Sequence, residues 1–182
     1  VYAKTGRMPL AIQEWERAIH LDSSLLPAHF NLGTAFMMQE KLDPAEKYFS
    51  NCLNINKNFK PALFNLALLK QKQMRWEESI NRFNSYMKIA GPNPSALKQI
   101  GFNYLNLNDW ANAVAFFEKS LKMLPTDATT LILLGDTFLA QSNPKKAGEK
   151  YRAALNLNKD HKLEKVLQAK IKNIPPEKTY KK

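Results

Sequence analysis

Residues 27–53 read PAHFNLGTAFMMQEKLDPAEKYFSNCL, and most of the chain is a variation on them. In the first half of this stretch Phe30, Leu32, Gly33 and Phe36 fall largely on one helical face. In the second half Ala45, Phe49, Cys52 and Leu53 recur at i, i+4, i+7 and i+8, the spacing of an amphipathic helix. Between them lies a polar turn in which Asp43 precedes Pro44. An acceptor side chain followed by proline at the first helical position marks a helix start, and Asn143-Pro144 gives the same signal. Neither helix buries its apolar face alone, so the stretch predicts a helix hairpin that must stack on neighbours.

The neighbours are present in the chain itself. Counting from Leu26, a Gly or Ala recurs at Gly33, Ala67, Gly101 and Gly135, in steps of 34 residues. Each follows a branched apolar residue: Leu32, Leu66, Ile100 or Leu134. A small residue recurs at Ala11, Ala45, Ser79, Ala113 and Ala147, with a large aromatic four positions later at Trp15, Phe49, Phe83, Phe117 and Tyr151. Two helices cross closely only where no bulky side chain separates their backbones, and the aromatics then fill the wider space alongside.

This pattern resembles the tetratricopeptide repeat, with Leu-Gly in its first helix, an aromatic three residues on, and Ala, an aromatic, Ala and Pro in and after its second. Leu134-Gly135, Phe138, Ala147, Tyr151 and Ala154 fit it, as do Ile100-Gly101, Tyr104, Ala113, Phe117 and Pro125. The resemblance covers about residues 1–160. Ser23, Lys57, Gly91 and Lys159 replace the closing proline elsewhere. Tyr86 stands where a small residue is usual, which points to a local packing shift near Gly91-Pro92-Asn93-Pro94. The resemblance implies an all-α fold, a right-handed superhelix (α-solenoid) of stacked helix-turn-helix repeats.

On this register residues 1–25 are the C-terminal part of a first repeat, and residues 26–161 hold four complete repeats. Residues 162–174 form a capping helix with Leu163, Val166, Leu167, Ile171 and Ile174 on one stripe. Residues 175–182 are expected to be a basic, disordered tail. The unbroken period predicts one continuous stack. The partial first repeat leaves an apolar edge at Ala11, Trp15 and Ala18, to be covered by chain upstream of Val1 or by another molecule.

Composition narrows the function. The net charge is +11, but residues 145–182 hold 12 basic and 4 acidic residues, a balance of +8, against +3 for the rest. No run of about 18 apolar residues encodes a membrane-spanning helix, and no signal peptide is visible. The cytoplasm is the default compartment, which a targeting segment ahead of Val1 would change. Cys52 is the single cysteine, so no internal disulfide or zinc spacing exists, and it occupies a small packing position. His20, His29 and His161 lack metal-ligand spacing. No Gly-rich phosphate loop or nucleophile elbow occurs. We therefore expect no enzymatic activity, no metal and no cofactor.

What remains is a binding surface. The resemblance implies that the first helix of each repeat lines a concave wall. The candidate peptide-binding residues are Phe30, Asn31, Thr34 and Met37 in the first complete repeat, Phe64, Asn65, Leu68 and Lys72 in the second, and Lys98, Gln99 and Phe102 in the third. Phe30-Asn31 recurs as Phe64-Asn65. An amide donates and accepts together and so pairs with peptide backbone. Family members that hold extended peptides use an asparagine ladder at this position, and methionine suits an adaptable wall. The competing reading makes Phe30 and Phe64 partly core and the asparagines simply solvated. A clamp for the carboxylate of chaperone tails is not expected. Phe30, Thr34, Ser95 and Gln99 stand where it needs Lys, Asn, Lys and Arg, and only Asn65 matches.

The expected function is a non-enzymatic scaffold or adaptor for protein–protein interaction that binds an extended partner segment, acidic or neutral, in its concave groove. The alternatives are a structural protein that self-associates through its N-terminal edge, and the repeat region of a larger protein whose catalytic part lies upstream. Nucleic acid and membrane are disfavoured as partners, because a lysine-rich helix is ordinarily a solvated face.

Overall fold

Each apolar stripe becomes a helix where an adjacent stripe completes its burial. The computed structural model describes residues 8–157 and 161–175. Among these residues it is all-α, with ten helices and no strand. In order they are α1 (Met8–Leu21), α2 (Leu26–Met38), α3 (Leu42–Ile55), α4 (Lys60–Lys72), α5 (Trp76–Ala90), α6 (Pro94–Asn106), α7 (Trp110–Met123), α8 (Ala128–Ala140), α9 (Pro144–Leu157) and α10 (His161–Lys172). The remnant of the first repeat around Gly6 and most of the basic tail lie outside the described residues.

The chain forms two compact units, Val1–Gly91 and Pro92–Lys182. In the first, α1 packs on α2, α2 on α3, α3 on α4 and α4 on α5. In the second, α6 packs on α7, α7 on α8, α8 on α9 and α9 on α10. The first unit ends within the Gly91-Pro92-Asn93-Pro94 stretch. There Gly91 takes φ 82° and ψ 175°, a region essentially reserved for glycine.

The hairpin turns are alike. Glu40, Met74, Asn108 and Ser142 adopt left-handed conformations with φ of 57–60°. The following residue donates its N–H back to the carbonyl of Phe36, Lys70, Tyr104 or Phe138 at 2.8–2.9 Å. This six-to-one bond closes a helix end. None of these positions is a glycine, so the turn carries no glycine signal in the sequence. The Asn143 cap forms as read, its Oδ1 accepting from the Lys146 N–H at 3.1 Å. Asp43 is not a cap. α3 starts two residues earlier, at Leu42 after Lys41, which makes no side-chain cap bond, and Asp43 lies in the first turn.

The small residues serve the close crossing. A Cβ on Gly33 would lie 2.7 Å from the Phe49 ring, one on Gly101 2.7 Å from Phe117, and one on Gly135 2.5 Å from Tyr151. In the N-terminal unit Ala45, Phe49, Cys52, Ala62, Leu66 and Leu69 form the core. In the C-terminal unit Phe117, Leu134, Ala147, Tyr151 and Leu167 belong to the corresponding cluster. Tyr86, the large residue at a small position, is half-buried and packs edge-on against Phe64, with ring centroids 5.2 Å apart.

α10 closes the C-terminal unit. Leu167 is fully buried, and Leu163, Ile171 and Ile174 pack beside it. Val166 departs from the expected stripe and is 50% exposed. Lys170 Nζ lies 2.5 Å from Asp136 Oδ1, which also accepts a hydrogen bond from the Tyr151 hydroxyl.

Cys52 is buried, its Sγ 3.9 Å from the Leu26 carbonyl oxygen. Burial pushes its thiol up to about 11. Because the thiolate is the nucleophile, iodoacetamide at pH 8 should leave Cys52 unmodified in the folded chain and label it quickly in denaturant, as mass spectrometry would show.

Candidate functional site

α2 and α4 are the first helices of consecutive repeats and lie side by side in the N-terminal unit. Beside their buried residues, Asn31, Thr34 and Met37 on α2 and Asn65 and Leu68 on α4 are left half-covered. Between them is a depression of about 230 Å³ lined by Thr34, Met37, Met38, Glu40, Asn65 and Lys72. It thus gathers four of the residues picked out from the sequence, Thr34, Met37, Asn65 and Lys72. Met38 and Glu40 join them from the end of α2.

The chemistry of this face is mixed. Met38 is 68% exposed and Met37 half-buried, giving a deformable apolar wall. Glu40 and Lys72 pair at 2.8 Å on its edge. The Lys72 hydrogen bond, reinforced by its charge, holds the Glu40 carboxyl below its ordinary value. The Thr34 hydroxyl is turned back onto the Phe30 carbonyl at 2.9 Å. Asn31 and Asn65 are half-buried, and among the described residues their side-chain amides make no hydrogen bond. Donor and acceptor capacity therefore remains on this face at equivalent positions of two repeats.

The other candidates are distributed differently. Phe30 is packed edge-on against Phe59 at 5.4 Å and tilted against Phe49 at 5.9 Å. Phe64 meets Phe83 and Tyr86, each at 5.2 Å. Both rings thus contribute to packing within the N-terminal unit, and each remains half-buried. Leu68 is half-buried on α4. In the C-terminal unit α6 carries Lys98, Gln99 and Phe102. Lys98 Nζ is 2.9 Å from Asp127 Oδ2, which places it against the residue capping α8. Phe102 packs on the core of that unit, and Gln99 is half-buried with interactions of its own.

Sequence reasoning missed Lys70. It is only 2% exposed and pairs with Glu46 at 2.6 Å. A signal was available: Lys70 holds the repeat position filled by Phe36, Tyr104 and Phe138 in the other repeats. Among the described residues no cluster of His, Cys, Asp and Glu is arranged to hold a metal ion. No described helix is long and apolar enough to cross a membrane.

Tetratricopeptide repeat family models match residues 26–59 and 100–161, together more than half of the chain. The chain belongs to the tetratricopeptide repeat family. As a tetratricopeptide repeat protein it is a protein-interaction module in the general sense, on a fold that is typically non-catalytic. Its fold class is the all-α solenoid of stacked helix-turn-helix repeats seen in solved relatives. YrrB, described as a TPR protein with an unusual peptide-binding site, aligns with a TM-score of 0.74 at 19% identity, covering 92% of this chain and 87% of its own. MamA aligns with a TM-score of 0.79 at 14% identity, covering 86% and 91%. PilF of Pseudomonas aeruginosa gives 0.76 at 19% identity, covering 94% and 82%. At these identities the likeness is one of fold. Human DnaJ homolog subfamily C member 3 is 22% identical over 171 residues, covering 86% of this chain and 34% of that protein. Protein O-mannosyl-transferase Tmtc3 of Drosophila melanogaster is 31% identical over 78 residues, covering 43% of this chain and 8% of that protein. The chain thus spans about a third of the first of these proteins and less than a tenth of the second.

Proposed function

We propose that this repeat region is a non-enzymatic adaptor that holds an extended segment of a partner protein on the face formed by α2 and α4. The observation that carries this reading is the pair of half-buried amides, Asn31 and Asn65, without hydrogen bonds among the described residues beside the Met37–Met38 wall. An extended chain advances about 6.6 Å per two residues, and packed helices lie about 8–10 Å apart. Successive amides would therefore engage backbone groups two to three residues apart. The depression, at about 230 Å³, is smaller than the usual small-molecule pocket of roughly 300–1,000 Å³ and suits a single side chain of a bound segment. Lys98, Gln99 and Phe102 would offer the equivalent face of the third repeat. YrrB, a repeat protein of this fold described as having a peptide-binding site, supports the same class of ligand.

The test uses peptides selected from a random displayed library on the intact chain. Each lost hydrogen bond should cost about 0.5–1.5 kcal/mol of affinity. Asn31→Ala together with Asn65→Ala should thus weaken the selected peptides roughly five- to a hundred-fold, with an unchanged circular dichroism melt. Undiminished binding by the double variant would remove the amides from the site.

A further inference from the structure

We propose a second binding site, between α9 and α10 in the C-terminal unit, that takes an acidic peptide segment bearing an apolar side chain. It stands independently of the α2–α4 face. A cavity of about 320 Å³ lies there, with Lys145, Gly148 and Arg152 contributed by α9, and Ile171 and Ile174 from α10 and the residues that follow it. Gly148 is buried and lines the cavity. A Cβ at that position would lie 3.1 Å from Ile174 Cδ1 and 3.2 Å from an Arg152 guanidinium nitrogen. The missing side chain therefore helps to keep the cavity open.

The charges around this cavity are not balanced. Lys145 and Arg152 are exposed and form no ion pair among the described residues. Neighbouring cations are engaged: Lys170 pairs with Asp136, and Lys146 lies over the Phe138 ring at 5.3 Å. The acidic side chains described on these two helices are Glu149 and Glu164, against a surplus of lysines and an arginine. An apolar wall of Ile171 and Ile174 beside two cations with no ion pair among the described residues is complementary to one apolar side chain flanked by carboxylates. A nucleic-acid backbone would satisfy the cations and leave the isoleucine wall unused, so the observations favour protein.

The experiment uses the intact chain and a fluorescein-labelled peptide of alternating Glu and Leu, with a Gln-for-Glu peptide as its uncharged counterpart. Binding is read by fluorescence anisotropy and by the backbone amide NMR shift of Gly148. Lys145→Gln with Arg152→Gln, both at exposed positions, should leave the melt unchanged and weaken the Glu peptide about five- to thirtyfold. Adding salt should weaken it further, because exposed charges are screened. Lys47→Gln with Lys57→Gln, the same change in net charge elsewhere, should have no such effect, and neither should the Asn31→Ala, Asn65→Ala pair. An equal loss in the Lys47, Lys57 control would overturn the proposal as a net-charge effect. So would equal affinity for the Gln peptide, or a Gly148 shift that responds to deleting residues 177–182 and not to the peptide, which would assign the cavity to the chain's own tail. Tighter, Arg152-dependent binding of a single-stranded oligonucleotide or of anionic phospholipid vesicles would also overturn it, in favour of a phosphate surface.

Discussion

Glu46→Ala should destabilise the N-terminal unit by about 3–5 kcal/mol, because it strands a buried ammonium. Lys70 is 2% exposed, and its Nζ lies 2.6 Å from Glu46 Oε1, while Gln73 donates to Oε2 at 3.2 Å. The lysine stem fills a slot that aromatic rings occupy in other repeats, so its charged end has no direct route to water. Removing Glu46 takes away its ion-pair partner. The reverse deletion is unequal. Lys70→Met keeps an unbranched apolar chain in the slot and leaves behind Glu46, which at 34% exposure can turn to solvent. A shape-conserving swap of this kind usually costs less than about 1.5 kcal/mol. Urea unfolding of the two variants should therefore show the glutamate variant as the weaker by a clear margin. Burial raises the Glu46 carboxyl, but the hydrogen bonds from Lys70 and Gln73 outweigh it and hold the group below its ordinary 4.5. A carboxyl whose pKa falls on folding contributes stability above its unfolded value and loses it as pH drops through the folded one. The gap between wild type and Glu46→Ala should accordingly narrow as the pH falls below that ordinary value. Equal destabilisation by the two substitutions would show that the pair is not buried as described.

Phe49→Ala should cost about 3–5 kcal/mol, the usual range for emptying a fully buried aromatic site. Phe49 is 0% exposed and lies at the crossing with Gly33. Gly33→Ala alone should also destabilise, by about 1–3 kcal/mol, since a Cβ would meet ring carbons at 2.7 Å. The informative variant carries both changes. With the ring gone the new methyl enters the vacated space, and alanine is the better helix former by about 1 kcal/mol. Gly33→Ala should thus become neutral or stabilising in the Phe49→Ala background, a coupling readable in a double-mutant cycle. Additive losses would mean that something other than the ring dictates glycine at this position.

These two sites also show what a reader of the sequence meets. Gly33 and Phe49 are legible because they recur every 34 residues, and a recurring small–large pair has one economical explanation, a close helix crossing. The hairpins follow from it. Lys70 is hard to read from sequence because a lysine on a helix is ordinarily a solvated charge, and only its place in the aromatic column hints at burial. Val166 is the opposite case: a valine at a helical spacing from Leu163 is a fair core candidate, but α10 turns it outward. The residues of the α2–α4 face were found through the register, which says which side of a helix a residue occupies. The register does not say whether Phe30 and Phe64 spend their rings on neighbours. That depends on Phe59 and Tyr86, whose side chains reach across from loop and second helix. Nor does it reveal the pairing of Lys72 with Glu40 or of Lys98 with Asp127, each of which joins residues about a repeat apart.

The claim that a partner segment lies across α2 and α4 is tested most directly by site-specific photocrosslinking. A benzophenone amino acid replaces Met38, which is exposed beside the depression, or Lys47, which is exposed on α3. Each chain is irradiated with the library-selected peptide bound. A covalent adduct is expected from position 38 and none from position 47. Adducts from position 47 alone would contradict the claim and place the partner on α3.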